Sequence, residues 1–238
     1  MKTQNHNNKY NHASWEFQRN ILRFLIKNIG TTLLAKLDEV DGLEKIPKEG
    51  PGILLINHIA FVDSLIVLHS MPRNIVPLAK SEVYDYPFVG IFPKLWGVVP
   101  VKRDVLDRSA LQQIMAILDA GEIILVAPEG TRHSNLQEGR VGAAYLASRT
   151  GAPIIPVAII DSKGFPAFRT SKRWKEPGIR IKIGSPFRYH LHMKRARKNE
   201  LRQMTEEAMY VLAELLPENL RGVYSDLSKA TQQTFEWL

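Results

Sequence analysis

The sequence predicts an α/β fold: a largely parallel central sheet flanked by helices and preceded by an amphipathic N-terminal helix. Two observations carry that expectation. From Val40 onward, short apolar runs alternate with helix-period segments, as in strand–helix–strand units. Before that, apolar residues recur mostly at three- and four-residue steps, the mark of one helix face.

The first element follows a polar, aperiodic stretch over 1–13, which reads as a flexible tail. Ser14 is suited to cap a helix. Trp15, Leu22, Ile26, Ile29, Leu33 and Leu37 then form one stripe, widened by Phe17, Ile21, Phe24 and Leu25. A helix over 14–37 is predicted, either packed on the body or lying in the lipid headgroup layer with its Lys and Arg outward. Arg23, Lys27 and Lys36 argue against a spanning helix, since a central charge costs about 2.5–3.5 kcal/mol on insertion scales. No small-residue cleavage site follows, so no secretory signal is predicted either.

Residues 38–238 are read as a single α/β domain. Its buried strands are predicted at 53–56, 75–78, 98–101, 123–126 and 154–160, with helices at 64–70, 109–120 and 139–149. The run 178–184, GIRIKIG, alternates Ile with Arg and Lys and predicts a half-exposed edge strand. A second amphipathic helix is expected over 194–215, stopped by Pro217, with a weakly helical remainder.

Composition narrows the function classes. Of 238 residues, 45% are hydrophobic and 24% charged, which excludes disorder of the whole chain. No cysteine is present, so disulfides, cysteine-held zinc, iron–sulfur clusters and thiol nucleophiles are excluded together. A net charge of +8 favours polyanionic partners: nucleic acid, an anionic membrane surface or phosphorylated substrates.

Candidate chemistry gathers just after the strands, where α/β sheets place their ligands. Asn57-His58-Ile59-Ala60-Phe61-Val62-Asp63 follows the first buried strand. Five residues along a continuous helix leave side chains about 140° apart. His58 and Asp63 therefore meet only if His58 sits in the loop and Asp63 opens the next helix. Asp63 would then fix the tautomer and leave the other ring nitrogen free to take a proton. The bland alternative is an ordinary cap beside a satisfied loop histidine.

Three more segments share this placement. Pro128-Glu129-Gly130-Thr131-Arg132 follows the 123–126 strand, with a glycine for close backbone approach and an arginine fork for phosphate. Gly97-Val98-Val99-Pro100-Val101-Lys102-Arg103 ends on two cations that point to opposite strand faces. In Ala152-Pro153-Ile154-Ile155-Pro156-Val157-Ala158 the prolines suggest a ligand-facing or edge position. Each segment alone also reads as an ordinary strand end.

The order NHxxxxD, GxxxVxR, PEGTR, APIIPVAI resembles the four blocks of the lysophospholipid acyltransferase family, most of all its bacterial 1-acyl-glycerol-3-phosphate acyltransferase branch. The similarity runs from about Val40 to Ile160, with a fainter echo in the run PENLRGVY at 217–224. The resemblance implies that His58 is the general base and that Asp63 orients it. It assigns Arg103, Glu129, Gly130, Thr131 and Arg132 to the acceptor's phosphate; Asn57 and Lys102 are added as substrate-binding candidates. It assigns Pro153 and Pro156 to the acyl-donor region. The chain has Ala60, Ala127 and His133 where the family often has serine, phenylalanine and serine, which leaves acceptor and chain-length preference open.

The implied reaction is transfer of an acyl group from acyl-CoA or acyl-carrier protein to a lysophospholipid hydroxyl. No metal and no cofactor beyond the donor is expected. Lysophosphatidic acid is the expected acceptor, with other lysolipids or glycerol 3-phosphate as alternatives. The expected location is the cytoplasmic face of the membrane, held there peripherally or monotopically by the N-terminal helix and the anionic surface. A non-catalytic lipid-binding protein and a nucleic-acid binder are the rival classes. The second lacks any recognisable module, so no nucleic-acid partner is expected.

Overall fold

In the computed structural model, residues 13–87, 90–102, 107–163 and 172–238 are described. The tail expected over 1–13 and Arg103 thus lie outside the described residues, except for Ala13. Among the described residues one sheet holds β1 (Leu37–Asp41), β2 (Gly52–Ile56), β3 (Ile75–Lys80), β4 (Val99–Val101), β5 (Ile123–Val126), β6 (Ile154–Ile160), β7 (Ile179–Ile183), β8 (Phe187–Tyr189) and β9 (Phe235–Trp237). The order is β1-β7-β6-β2-β5-β3-β4, with β8 on β6 and β9 on β8. β2 through β6 run parallel, while β7 meets β6 antiparallel and carries β1 with it. The expected largely parallel sheet is what the chain forms.

Helices cover both faces: α1 (Ala13–Leu25), α2 (Val62–Ser70), α3 (Ile91–Trp96), α4 (Arg108–Asp119), α5 (Gly142–Thr150) and α6 (Lys198–Glu214). Strand alternation sorts the core into two layers. Leu54 and Ile56 of β2 pack with Ile66, Val67 and Trp96 on one side. Ile53 and Leu55 pack with Ile114, Ile117 and Ala144 on the other. Covered on both faces, β6 is buried along its whole length, which is why it reads as one apolar run.

Four expectations are corrected. Ser14 is not a cap, because α1 already includes Ala13. The N-terminal helix stops short of Leu37: it continues with π-helical bonding over Ile26–Leu34, and Leu37 opens β1. The GIRIKIG strand is half-exposed but is no edge, since β1 pairs with its outer side. β1 (LDEVD) escapes notice because its mostly polar side chains mask the strand pattern. The C-terminal remainder ends in β9, whose Phe235 ring lies tilted against Phe187 with centroids 4.4 Å apart.

α1 is two-sided. Trp15 lies over Gly97, where an added Cβ would come within 2.8 Å of the indole. Arg19 is fully buried and donates through Nε to the Trp96 carbonyl at 2.9 Å. The opposite face leaves Phe17 74% and Phe24 66% exposed, with Ile21, Leu25 and Ile29 beside them. Ile29 thus belongs to the outer face, contrary to its expected place in the inner stripe. Among the described residues no helix is long and apolar enough to cross a membrane.

Candidate active site

β6, β2 and β5 are adjacent and parallel, so the segments that leave their carboxyl ends emerge about 5 Å apart on one edge. The loop after β2 carries Asn57 and His58, and Asp63 sits in the first turn of α2. A carboxylate is favoured there by the positive end of the helix dipole. His58 Nδ1 lies 3.1 Å from Asp63 Oδ2. The same oxygen accepts from the Ile59 and Ala60 backbone N–H groups, each at 2.7 Å, and Asp63 is fully buried. Surrounded by donors, the carboxylate acts as an acceptor, so Nδ1 carries the proton in this contact and Nε2 keeps its lone pair. The ring itself is 19% exposed, enough to be reached from the edge of the sheet.

Ser162, two residues beyond β6, donates its hydroxyl to Asp63 Oδ1. The turn that aims it passes through Asp161, whose φ of +60° is a left-handed conformation that aspartate tolerates better than most residues. Sequence reasoning missed Ser162. The signal was its place at a strand end beside the pair's own strand.

Glu129 follows β5 and is 6% exposed. Its Oε1 accepts from the Gln137 N–H at 2.9 Å and its Oε2 from the His58 N–H at 3.3 Å. The His58 carbonyl in turn accepts from the His133 N–H at 2.9 Å. The segment after β5 therefore clamps the histidine's backbone from both sides. Both Glu129 carboxyl oxygens engage backbone donors, so this side chain helps to position the His58 loop.

Burial pushes the Glu129 carboxyl up to about 7, against the pull of the Gln137 and His58 N–H groups and the His58 side chain. A carboxyl whose native pKa lies above its ordinary 4.5 binds protons more readily in the folded state between those two values. Its contribution to stability is thus present below about 4.5 and is lost as pH rises to about 7. Urea midpoints at pH 5 and pH 7.5 should show a smaller fall for Glu129→Gln than for the wild type. An identical fall in both proteins would contradict the assignment.

Thr131 and Arg132 are exposed on the same segment. Gly130, at φ +76°, lies so near a neighbouring cation that an added Cβ would come 3.0 Å from Arg140 Nε. The run at 217–224 has a structural part: the Leu136 N–H donates to the Leu220 carbonyl at 2.9 Å, and the Val223 N–H donates to the Leu136 carbonyl at 3.1 Å. Gly222 has φ +53°, and a Cβ there would overlap the Leu136 carbonyl. The C-terminal run therefore braces the segment that holds Gln137 against Glu129.

Among the described residues, the remaining candidates make no hydrogen bond to the side chains of His58 and Asp63. Asn57 is buried, and its amide exchanges two hydrogen bonds with the Ile159 backbone at 2.7 and 2.9 Å. It ties the end of β2 to β6 through both of its side-chain polar atoms. Lys102 is exposed just past β4, three strand spacings or roughly 14 Å from β2. Pro153 and Pro156 are both buried. The expected edge position of Pro156 is corrected: β6 is interior, and β8 and β7 take turns pairing with its outer side. The Pro156 carbonyl accepts from the Gly184 N–H between those two strands, so its missing N–H falls at their junction. Among the described residues no three His, Asp or Glu converge to hold a metal.

Three comparisons bear on this arrangement. A family model described as Acyltransferase matches residues 39–160. A 1-acyl-sn-glycerol-3-phosphate acyltransferase of Borreliella burgdorferi is 34% identical over 130 residues, 53% of this chain and 52% of that protein. One of Bacillus subtilis is 27% identical over 174 residues, 72% of this chain and 84% of its own length. The match thus spans only about half of the first of these relatives. The fold is similar to the crystal structure of the 1-acyl-sn-glycerophosphate (LPA) acyltransferase, PlsC, from Thermotoga maritima. That likeness has a TM-score of 0.59 at 22% identity and covers 90% of this chain and 81% of that one.

Proposed function

On the premise that this chain belongs to the acyltransferase family, we propose that it acylates the free hydroxyl of 1-acyl-sn-glycerol 3-phosphate to give phosphatidic acid. Acyl-CoA or acyl-carrier protein is the donor. The observation that carries this reading is the His58–Asp63 contact at the carboxyl edge of the sheet.

His58 Nε2 takes the proton of the acceptor hydroxyl as that oxygen bonds to the thioester carbonyl carbon. Collapse of the tetrahedral adduct breaks the C–S bond, and the leaving thiolate takes the proton from the imidazolium. No acyl-enzyme is required, and direct transfer asks for no cofactor beyond the donor. The Ile59 and Ala60 N–H groups already bond Asp63, so the oxyanion's donors come from elsewhere.

Thr131 and Arg132 are the proposed phosphate contacts, and the family resemblance adds Arg103 as a candidate for the same phosphate. Arg132→Ala should raise KM for lysophosphatidic acid by about 10- to 100-fold, the worth of a hydrogen bond to a charged group. Rates measured across lysophosphatidic acid, lysophosphatidylcholine and glycerol 3-phosphate test the acceptor. Preference for either of the last two would replace it.

The exposed face of α1 supports a further part of this reading, that the enzyme rests on the cytoplasmic face of the membrane. A solvent-facing row of Phe17, Ile21, Phe24, Leu25 and Ile29 on a +8 chain suits an anionic lipid surface. Burying one large apolar side chain contributes about 1.5–3 kcal/mol. Phe17→Ser with Ile21→Ser should therefore lower co-sedimentation with vesicles about tenfold or more. Unchanged sedimentation would remove the membrane role of this face.

A further inference from the structure

At the far end of α2 from Asp63, a cavity of about 260 Å³ lies between α1 and α2, lined by Asn20, Arg23, Phe24, Lys27 and His69. Asn20, Arg23, Phe24 and Lys27 are spaced i, i+3, i+4 and i+7, so they line one helix face. His69 enters from the last turn of α2, about 9 Å along that helix from Asp63. Resting on the membrane reading above, we propose that this cavity is a binding site for the phosphate of an anionic phospholipid headgroup, separate from the site of acyl transfer.

Four observations support it. Two cations and a histidine face one small space, and no carboxylate lines it. Its volume is below the roughly 300–1,000 Å³ of pockets for drug-sized ligands, which suits a headgroup rather than a whole lipid. Phe24 both lines the cavity and belongs to the exposed apolar face, so a phosphate held here has its acyl chains beside Phe17 and Ile21. Neighbouring polar groups fix the walls: Arg23 donates to the Met71 carbonyl that follows α2, and Asn20 Oδ1 accepts from Asn74 at 3.1 Å.

The Arg23 contact also ends α2 favourably, because a cation complements the negative end of a helix dipole. That structural task uses part of one guanidinium. Burial, with Arg23 and Lys27 close by, holds the His69 imidazole below its ordinary pKa. A bound phosphate would reverse that bias, and the ring would take up a proton.

The test uses the full chain and two kinds of vesicle, neutral phosphatidylcholine and phosphatidylcholine containing phosphatidic acid. Three proteins are compared: wild type, Lys27→Gln/His69→Gln, and a control, Lys48→Gln/Lys198→Gln, that removes exposed cations elsewhere. Wild type should prefer the anionic vesicles. The cavity variant should lose about fivefold or more of that binding, since one cation near an anionic surface is worth about that factor. Its binding to neutral vesicles and its melting temperature should stay unchanged, and the control should lose less than twofold.

Equal losses in the control would assign the preference to general surface charge and overturn the site. No loss in the cavity variant, or no binding of wild type to either vesicle, would overturn it as well. Inorganic phosphate, added as a separate arm, should shift the His69 ring resonances weakly. A strong shift without any preference for anionic vesicles would make free phosphate the occupant and refute the lipid assignment. The Phe17→Ser/Ile21→Ser variant separates the two readings: unchanged neutral-vesicle binding there defeats the apolar face alone, and the cavity is judged by anionic preference.

Discussion

His58→Ala should lower the rate of acyl transfer by about 10²–10⁴-fold, the usual worth of a positioned general base. The loss should fall on kcat, because the ring's proposed task is proton transfer at the reacting hydroxyl. Stability should change little. The ring is partly exposed and its Nδ1 bonds Asp63, but the loop is held through the His58 backbone, whose N–H and carbonyl engage Glu129 and the His133 N–H. A circular-dichroism melt beside the kinetic assay separates the two effects. A large drop in melting temperature would mean that the lost activity reports unfolding.

Asp63→Asn should lose activity, while its effect on stability depends on which way the amide faces. The aspartate accepts at one oxygen from two backbone N–H groups and the His58 ring, and at the other from the Ser162 hydroxyl. An amide can present its oxygen to only one side. If the oxygen faces Ile59 and Ala60, Ser162 can turn its hydroxyl to accept from the amide; in the other orientation two buried N–H groups lose their acceptor. Each buried group left unsatisfied costs about 1–3 kcal/mol. The neutral amide also removes the negative charge that steadies the imidazolium, so kcat should fall even where the protein stays folded. Wild-type kcat in a folded Asp63→Asn would contradict the role given to the carboxylate.

Much of this was legible in the sequence for identifiable reasons. Buried parallel strands must be apolar on both faces, so β2, β5 and β6 announce themselves, and ligand sites lie beyond their carboxyl ends. The five-residue spacing from His58 to Asp63 fixed where the two could meet, though alone it left the bland reading open. It is incompatible with contact along one continuous helix and requires the loop-to-helix boundary that α2 provides at Val62.

What escaped the sequence depends on tertiary contact. Glu129 looks like a solvated or phosphate-facing acid until its two backbone donors, eight and 71 residues away, are located. Ser162 is one serine among many until β6 is known to lie beside β2, which brings its hydroxyl to Asp63. Pro156 suggests an edge because a proline cannot donate to a ladder; only the handover from β8 to β7 shows how an interior strand accommodates it. β1 hides for the opposite reason, since its polar side chains give no apolar run although its backbone pairs with β7.

The most direct test of the central claim is phosphatidic acid formation from a long-chain acyl-CoA and lysophosphatidic acid in vesicles, with wild type and His58→Ala assayed side by side. The account predicts product from wild type and a rate at least about a hundredfold lower from the variant. Equal rates from the two proteins would contradict the role of His58, and no product from wild type with either acyl-CoA or acyl-carrier protein would contradict the reaction itself.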